Sequence, residues 1–207
     1  MSKVTVFGAG AWGSTMAQVL SDAGNDVLLW GRSPEVITEI NTLHTNRKYL
    51  GNHVLPETLV ATNSLDDAFA FSEVYVLAIP AQQIRATLEE WKSRFSETCT
   101  IVSTLKGIEI STQMRMTEVI IDVIGMHKIA IITGPNLADE LVLRQPAGAV
   151  AAAASLELAD QIRELFRTPY YRVYTSVDVQ GCELAGAIKS VIALAVGLSI
   201  GMGYGEN

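Results

Sequence analysis

Three places in this sequence carry residue types that could do chemistry. Lys189 is the single charge in the otherwise apolar run from Leu184 to Gly203. An ammonium in such surroundings is costly unless it is paired or used. Desolvation lowers a lysine's pKa toward the range useful for proton transfer. Glu183 and Glu206 are the carboxylates that could partner it, although Glu183, six positions earlier, does not share its face as an i,i+4 pair would. The plainer alternative is a lysine snorkelling from a helix edge. Lys106 lies in Ser103-Thr104-Leu105-Lys106-Gly107-Ile108-Glu109. It could hold a phosphate or carboxylate, or be an exposed loop lysine. Gly134-Pro135-Asn136 either offers free backbone N–H groups to an anion or forms an ordinary capped turn.

Gly8-Ala9-Gly10-Ala11-Trp12-Gly13 is a GxGxxG that follows a strand-like run and opens a helical one. In that setting the first glycine permits a tight turn and the second lets backbone approach a pyrophosphate. The third allows close helix–strand packing. The bland reading is a tight strand–helix turn without a ligand. The fingerprint expects an acid about 20 residues on, to hold a ribose 2′-hydroxyl. That stretch reads Leu29-Trp30-Gly31-Arg32-Ser33, with Arg32 lying 19 positions after Gly13 and no acid present. A guanidinium suits a 2′-phosphate in charge and geometry, so NADP(H) is preferred, with NAD(H) as the alternative. Arg32 could instead be a solvated surface arginine. Trp12, inside the fingerprint, either lines the cofactor or packs helix on sheet.

These residues need elements to hold them. Strands are expected at Lys3–Phe7, Asp26–Trp30, Leu59–Thr62, Val74–Ile79, Thr100–Ser103, Lys128–Thr133, Gly148–Ala153 and Tyr170–Tyr174. Helices are expected at Ala11–Ala23, Pro34–Leu43 behind a Ser33 cap, Leu65–Phe71, Ala81–Phe95, Gln113–Ile124, Asn136–Leu143 and Leu156–Phe166. Thr45–Pro56 reads as a loop. This alternation argues for a parallel sheet with helices on both faces. Apolar runs such as Val74–Ile79 fit strands buried on both sides. Lys106 and Gly134 then fall at the strands' carboxyl edge, where open α/β sheets bind ligands. From Val179 to Met202 the pattern is helical only, so a boundary is placed near Ser176–Asp178.

Composition narrows the classes. With 49% hydrophobic and 18% charged residues, a large core is possible and wholesale disorder is excluded. Fifteen Lys+Arg against 22 Asp+Glu exclude a basic nucleic-acid footprint. Cys99 and Cys182 cannot make a disulfide framework, and His44, His53 and His127 have no ligand spacing, so no metal site is expected. No leader pattern precedes Lys3–Phe7, which makes a reducing cytoplasm the expected location. Leu184–Gly203 is long enough to span a bilayer. Its Gly and Ala content, its lack of aromatic belts and Lys189 argue instead for a buried helix of a soluble protein.

Taken together, the segments resemble the bacterial NAD(P)-dependent glycerol-3-phosphate dehydrogenase family. They are the glycine motif, Asn46-Arg47-Lys48-Tyr49-Leu50, Leu77-Ala78-Ile79-Pro80, Leu105-Lys106-Gly107-Ile108-Glu109, Gly134-Pro135-Asn136-Leu137-Ala138-Asp139-Glu140, and Gly181-Cys182-Glu183-Leu184-Ala185-Gly186-Ala187-Ile188-Lys189 with Gly203-Tyr204-Gly205-Glu206-Asn207. The resemblance implies a doubly wound Rossmann-type α/β domain over 1–177. The first long helix of an all-α substrate domain would follow over 178–207. It implies reversible reduction of dihydroxyacetone phosphate to sn-glycerol 3-phosphate, a phospholipid precursor, in a homodimer when intact. Lys189 matches the catalytic lysine. Lys106, Gly134 and Asn136 match substrate contacts. Gly8, Gly10, Ala11, Trp12, Gly13, Arg32, Tyr49, Lys106 and Ala138 match cofactor contacts. Ser190 stands where the family usually has Asn, Leu137 where Phe is commoner, and Asn136 where Ser is commoner. Family members continue past Asn207 through helices that close the substrate site, so a truncated chain is expected, with Leu184–Gly203 left as exposed apolar surface. The rival readings are a cofactor-binding module without turnover, another Rossmann-plus-helical dehydrogenase, and a membrane-anchored protein.

Overall fold

The computed structural model describes residues 1–125 and 128–205, so His127, Glu206 and Asn207 lie outside the described residues. Lys3–Phe7 (β1) leads into Ala11–Asp22 (α1), Asp26–Trp30 (β2), Pro34–Leu43 (α2), Arg47–Leu50 (α3) and Val60–Thr62 (β3). The chain returns through Leu65–Phe71 (α4) to Val74–Leu77 (β4), Ile84–Trp91 (α5), Thr100–Ser103 (β5), Met116–Ile124 (α6) and Lys128–Thr133 (β6). Ala138–Val142 (α7), Ala147–Ala153 (β7), Leu156–Phe166 (α8), Tyr171–Ser176 (β8) and Val179–Gly201 (α9) complete it. The strands form one sheet in the order β3-β2-β1-β4-β5-β6-β7-β8. The chain winds outward from β1 in one direction, then from β4 in the other, as expected of a doubly wound sheet.

The sheet is not wholly parallel. β7 runs antiparallel to β6, with Ala130 opposite Ala153, and β8 is parallel to β7. The cause lies in the connection. α7 has five residues and packs against α1, too short to carry the chain back across the sheet. The chain therefore re-enters from the carboxyl edge, which makes the next strand antiparallel. Other departures are local. The Thr45–Pro56 loop contains α3 and a bridge between Thr45 and Val54. The Ala81–Phe95 helix narrows to α5 between two short 3-10 turns. α6 starts at Met116 rather than Gln113, because Gln113 adopts a φ of 61° beside an Ile108–Arg115 bridge.

Serine caps start three helices, among them the one read behind Ser33. The hydroxyls of Ser33, Ser64 and Ser155 accept from the N–H groups of Val36, Asp67 and Leu158. Strand alternation then divides the core. Val4, Val6, Val76, Val102 and Ala130 pack under α1, α2 and α8. Phe7, Tyr75, Leu77 and Ile101 pack on the other face against α4, α5 and α6. There Phe7 lies 4.9 Å from the Phe69 ring and 5.0 Å from the Trp91 ring, centroid to centroid.

α9 is not the buried helix that its apolarity suggests. It packs against β6 and β7 at its start, and Glu183 is its one buried residue. Beyond that the helix runs past the sheet, where no described element covers it. Val191, Leu194 and Ile200 are 68%, 64% and 71% exposed. The helix is long and apolar enough to cross a membrane, with none of its apolar window buried. The exposed apolar surface anticipated from the family resemblance is what this chain presents.

Candidate functional site

The crevice forms where the winding reverses. The turn after β1 and the chain after β4 meet at the carboxyl edge, between neighbouring strands that lead away in opposite directions. Gly8 has a φ of 123°, and a Cβ there would sit 2.4 Å from the Ala78 carbonyl oxygen. A Cβ on Gly13 would sit 1.7 Å from the Gly8 carbonyl oxygen, so the third glycine lets α1 close on the turn. Gly10 is different, because a Cβ there would meet nothing within 4 Å. Its open side faces a cavity of about 660 Å³. Gly10 is also the N-cap of α1, so the unpaired N–H groups of the first turn gather beside that space.

The same cavity is lined by Ala9, Ala11, Trp12, Trp30, Arg32, Ser33, Lys48, Tyr49, Ile79, Pro80 and Lys106, among others. Arg32 is exposed and makes no ion pair among the described residues. Glu35, the nearest acid in sequence, is held by the Ser33 hydroxyl at 2.6 Å, and that bond keeps its carboxyl below the usual range. The cations Arg32 and Lys48 and the Tyr49 ring thus line the same cavity. Trp12 presents a buried indole N–H with no partner among the described residues. An open glycine cradle, a helix N-terminus, an unmatched arginine and an orphaned indole N–H fit a phosphate-bearing dinucleotide.

Lys106 extends from the loop after β5. Its ammonium donates to the Gly134 carbonyl at 2.8 Å and lies 5.4 Å from the Trp12 ring centroid. Burial, and then the like charge of Lys189, hold this ammonium below the usual lysine value. The loop beyond it is pinned by Arg85, which donates through Nε and Nη2 to the nearly buried Glu109 carboxylate at 3.0 Å each and also pairs with Asp122. α9 approaches from the β6 side. A Cβ on Gly186 would lie 2.9 Å from the Thr133 hydroxyl and 3.9 Å from Lys106 Cγ. Lys189, nearly one turn on, is half-buried. Glu183 is not its counterion. That carboxylate pairs with Arg115 at 2.7 Å.

The crevice therefore brings together Gly8, Gly10, Ala11, Trp12, Arg32, Tyr49 and Lys106. Gly134 joins through its carbonyl, and Lys189 through its charge on Lys106. Gly13 stands behind the turn. Asn136 lies apart, donating to the Gly148 carbonyl at 2.9 Å and accepting from the Tyr171 hydroxyl at 3.3 Å. It lines a separate cavity of about 210 Å³, and Ala138 lines neither cavity. The sequence reading gave no role to Asn46. This fully buried side chain donates to the Ala9 carbonyl at 3.0 Å and the Ser14 hydroxyl at 2.9 Å, tying the loop before α3 to the glycine turn. An asparagine heading a polar loop looks like turn chemistry, and only its burial distinguishes it. Among the described residues, no group of three His, Cys, Asp or Glu side chains is placed to hold a metal ion.

Comparisons with known proteins agree with one another. A family model described as NAD-dependent glycerol-3-phosphate dehydrogenase N-terminus matches residues 3–159. One described as the C-terminus of the same enzyme matches residues 178–207. The glycerol-3-phosphate dehydrogenase (NAD(P)+) of Thermobifida fusca is 46% identical over 210 residues, covering 100% of this chain and 62% of that protein. The enzyme of the same name from Corynebacterium diphtheriae is 48% identical over 207 residues, covering 99% of this chain and 62% of that protein. The crystal structure of glycerol-3-phosphate dehydrogenase from Coxiella burnetii superposes with a TM-score of 0.88 at 28% identity, covering 100% of this chain and 63% of that one. The chain thus spans about three fifths of the length of these relatives.

Proposed function

Since the chain belongs to the NAD-dependent glycerol-3-phosphate dehydrogenase family, we propose that it carries the cofactor site and the reacting lysines of an enzyme that interconverts dihydroxyacetone phosphate and sn-glycerol 3-phosphate. Residues 1–177 form the dinucleotide-binding domain, and 178–207 begin a helical substrate domain. The observation that carries this reading is the approach of a second lysine-bearing element, α9, to Lys106 in the crevice that also holds the glycine turn.

Gly8, Gly10 and the first turn of α1 receive the pyrophosphate, with Trp12 and Tyr49 as walls. Arg32 takes a 2′-phosphate, so NADP(H) is bound in preference to NAD(H). The nicotinamide supplies or accepts the hydride. Lys189 polarises the C2 carbonyl and gives its oxygen a proton in reduction, and takes that proton back in oxidation. Lys106, fixed by Gly134, holds charge between cofactor and substrate, while Gly134 and Asn136 border the substrate and Ala138 the cofactor. The product serves phospholipid synthesis in the cytoplasm, and the protein works as a homodimer without inserting in a membrane.

The test is dihydroxyacetone-phosphate-dependent oxidation of NADPH, followed by loss of near-ultraviolet absorbance, with cofactor binding measured in parallel by fluorescence. A rate that needs the triose phosphate supports the reading. Binding of NADPH without such a rate favours the second reading, a cofactor-binding module, which the uncovered length of α9 recommends. Failure to bind either nucleotide overturns both.

A further inference from the structure

α9 is apolar on every side, so no hydrophobic stripe selects which face meets the sheet. Something else must fix its rotation, because only Gly186 allows the close approach to Thr133 and Lys106. Turning the helix by one residue would bring the Cβ of Ala185 or Ala187 toward that contact. The only buried residue of this helix is a carboxylate, Glu183. It reaches the N-terminus of α6, where backbone N–H groups and the helix dipole favour an anion. Glu183 Oε1 accepts from the Thr117 N–H at 2.9 Å. Oε2 accepts from the Thr117 hydroxyl at 2.6 Å and from Arg115 Nη1 at 2.7 Å. Arg115 is itself steadied by Glu118, which accepts from its backbone N–H at 2.9 Å and its Nη2 at 2.7 Å. Each polar atom of this anchor has a fixed direction, which apolar contact lacks.

We propose that Glu183 is a positioning residue: by docking its carboxylate on Arg115 and Thr117 at the head of α6, it sets the rotation of α9 and so places Lys189 against Lys106. Glu183, Gly186 and Lys189 recur every three residues, so each is displaced by about 60° from the last around the helix. The first is clamped to α6, the second lies on β6, and the third is thereby aimed at the crevice. This rests on the reading of Lys106 and Lys189 as the reacting pair, but its first test needs no substrate.

That test is the titration of the Lys106 amine by nuclear magnetic resonance, with lysines carrying carbon-13 methyl groups and the signal identified by its loss in Lys106→Arg. Lys189→Gln removes the like charge and moves the Lys106 titration upward. Glu183→Ala moves it in the same direction, and adds nothing in the Lys189→Gln background, because both changes act through one coupling. Thr117→Val, which keeps both charges and removes the hydroxyl that donates to Glu183 and accepts from Arg115, gives a smaller shift of the same sign and guards against a Glu183→Ala chain that does not fold. Where the wild type turns over, Glu183→Gln lowers kcat, on the order of tenfold for a misplaced group, with KM for NADPH unchanged. A Lys106 titration untouched by Glu183→Ala and Thr117→Val overturns the proposal, as does an equal Glu183→Ala shift with Lys189 absent. A wild type without turnover that still shows the coupled shifts overturns the enzymatic reading and supports the anchor.

Discussion

Arg32 has no carboxylate partner among the described residues and stands on the wall of the dinucleotide-sized cavity, which makes its charge available to a ligand. Hydrogen bonds to a charged group contribute about 1.5–3 kcal/mol. Arg32→Ala should therefore raise the NADPH dissociation constant on the order of ten- to a hundredfold. NADH affinity should stay near its starting value, and equal losses would refute the 2′-phosphate role. The two lysines separate by task. Lys189→Ala should remove turnover yet leave NADPH affinity nearly intact, because the lysine does not line the cofactor cavity. Parallel loss of cofactor binding in a fluorescence titration would make Lys189 structural. At this scale the sequence was most informative for the glycines, whose conformations follow from local backbone geometry, and for the cation at the end of strand two, which lies on the cavity wall. It carried no signal of the desolvation at Lys106. The burial that depresses an ammonium is at Lys106, in a loop, and depends on Trp12, Gly134 and α9 arriving from distant parts of the chain.

Among elements, the strand–turn–helix from β1 to α1 is held by contact rather than by propensity. A methyl on Gly13 would have to displace the Gly8 carbonyl, which is backbone and cannot swing aside. Gly13→Ala should lower the thermal midpoint by the equivalent of about 1–3 kcal/mol of overpacking. It should also weaken NADPH binding, both read in one thermal-shift series with and without cofactor. An unchanged midpoint would show that the turn can open at little cost. β-branched runs and the Ser33 cap placed most elements correctly, since both are local signals. α3 stayed hidden because four residues carry too little periodicity to rise above a polar loop. The reversal of β7 stayed hidden because strand direction depends on where α7 packs.

Across the whole molecule, one polar cluster joins segments far apart in sequence. His53 Nε2 donates to Gln18 at 2.9 Å, and Gln18 donates to the Val142 carbonyl at 2.9 Å. Asp22 accepts from Arg144 at 2.8 Å and from the Tyr170 hydroxyl at 2.6 Å. Burial, then the Arg144 charge, lower the His53 pKa, against a smaller opposing pull from Asp22. Below the unfolded value of about 6.5 the unfolded chain takes up a proton before the folded one does. Stability should therefore fall as pH drops from about 6.5 toward the lower folded value, and level off beneath it. Glu39, Glu109 and Glu118, also held low, add their losses only below about 4.5. Urea midpoints of the wild type and His53→Gln, compared between about pH 7.5 and about pH 5.5, should show the slope in the first and its near-absence in the second. Matching slopes would assign the loss to other groups.

The sequence by itself determined the alternation of strands and helices, the glycine turn, the cationic end of strand two and the family. All of these rest on neighbours within a few turns of chain. Tertiary structure decided that Lys106 is desolvated, which carboxylate anchors the last helix, and which face of that helix meets the sheet. An evenly apolar helix contains no local instruction for its own rotation. The directional bonds of Glu183 to a helix head 66 positions away supply it.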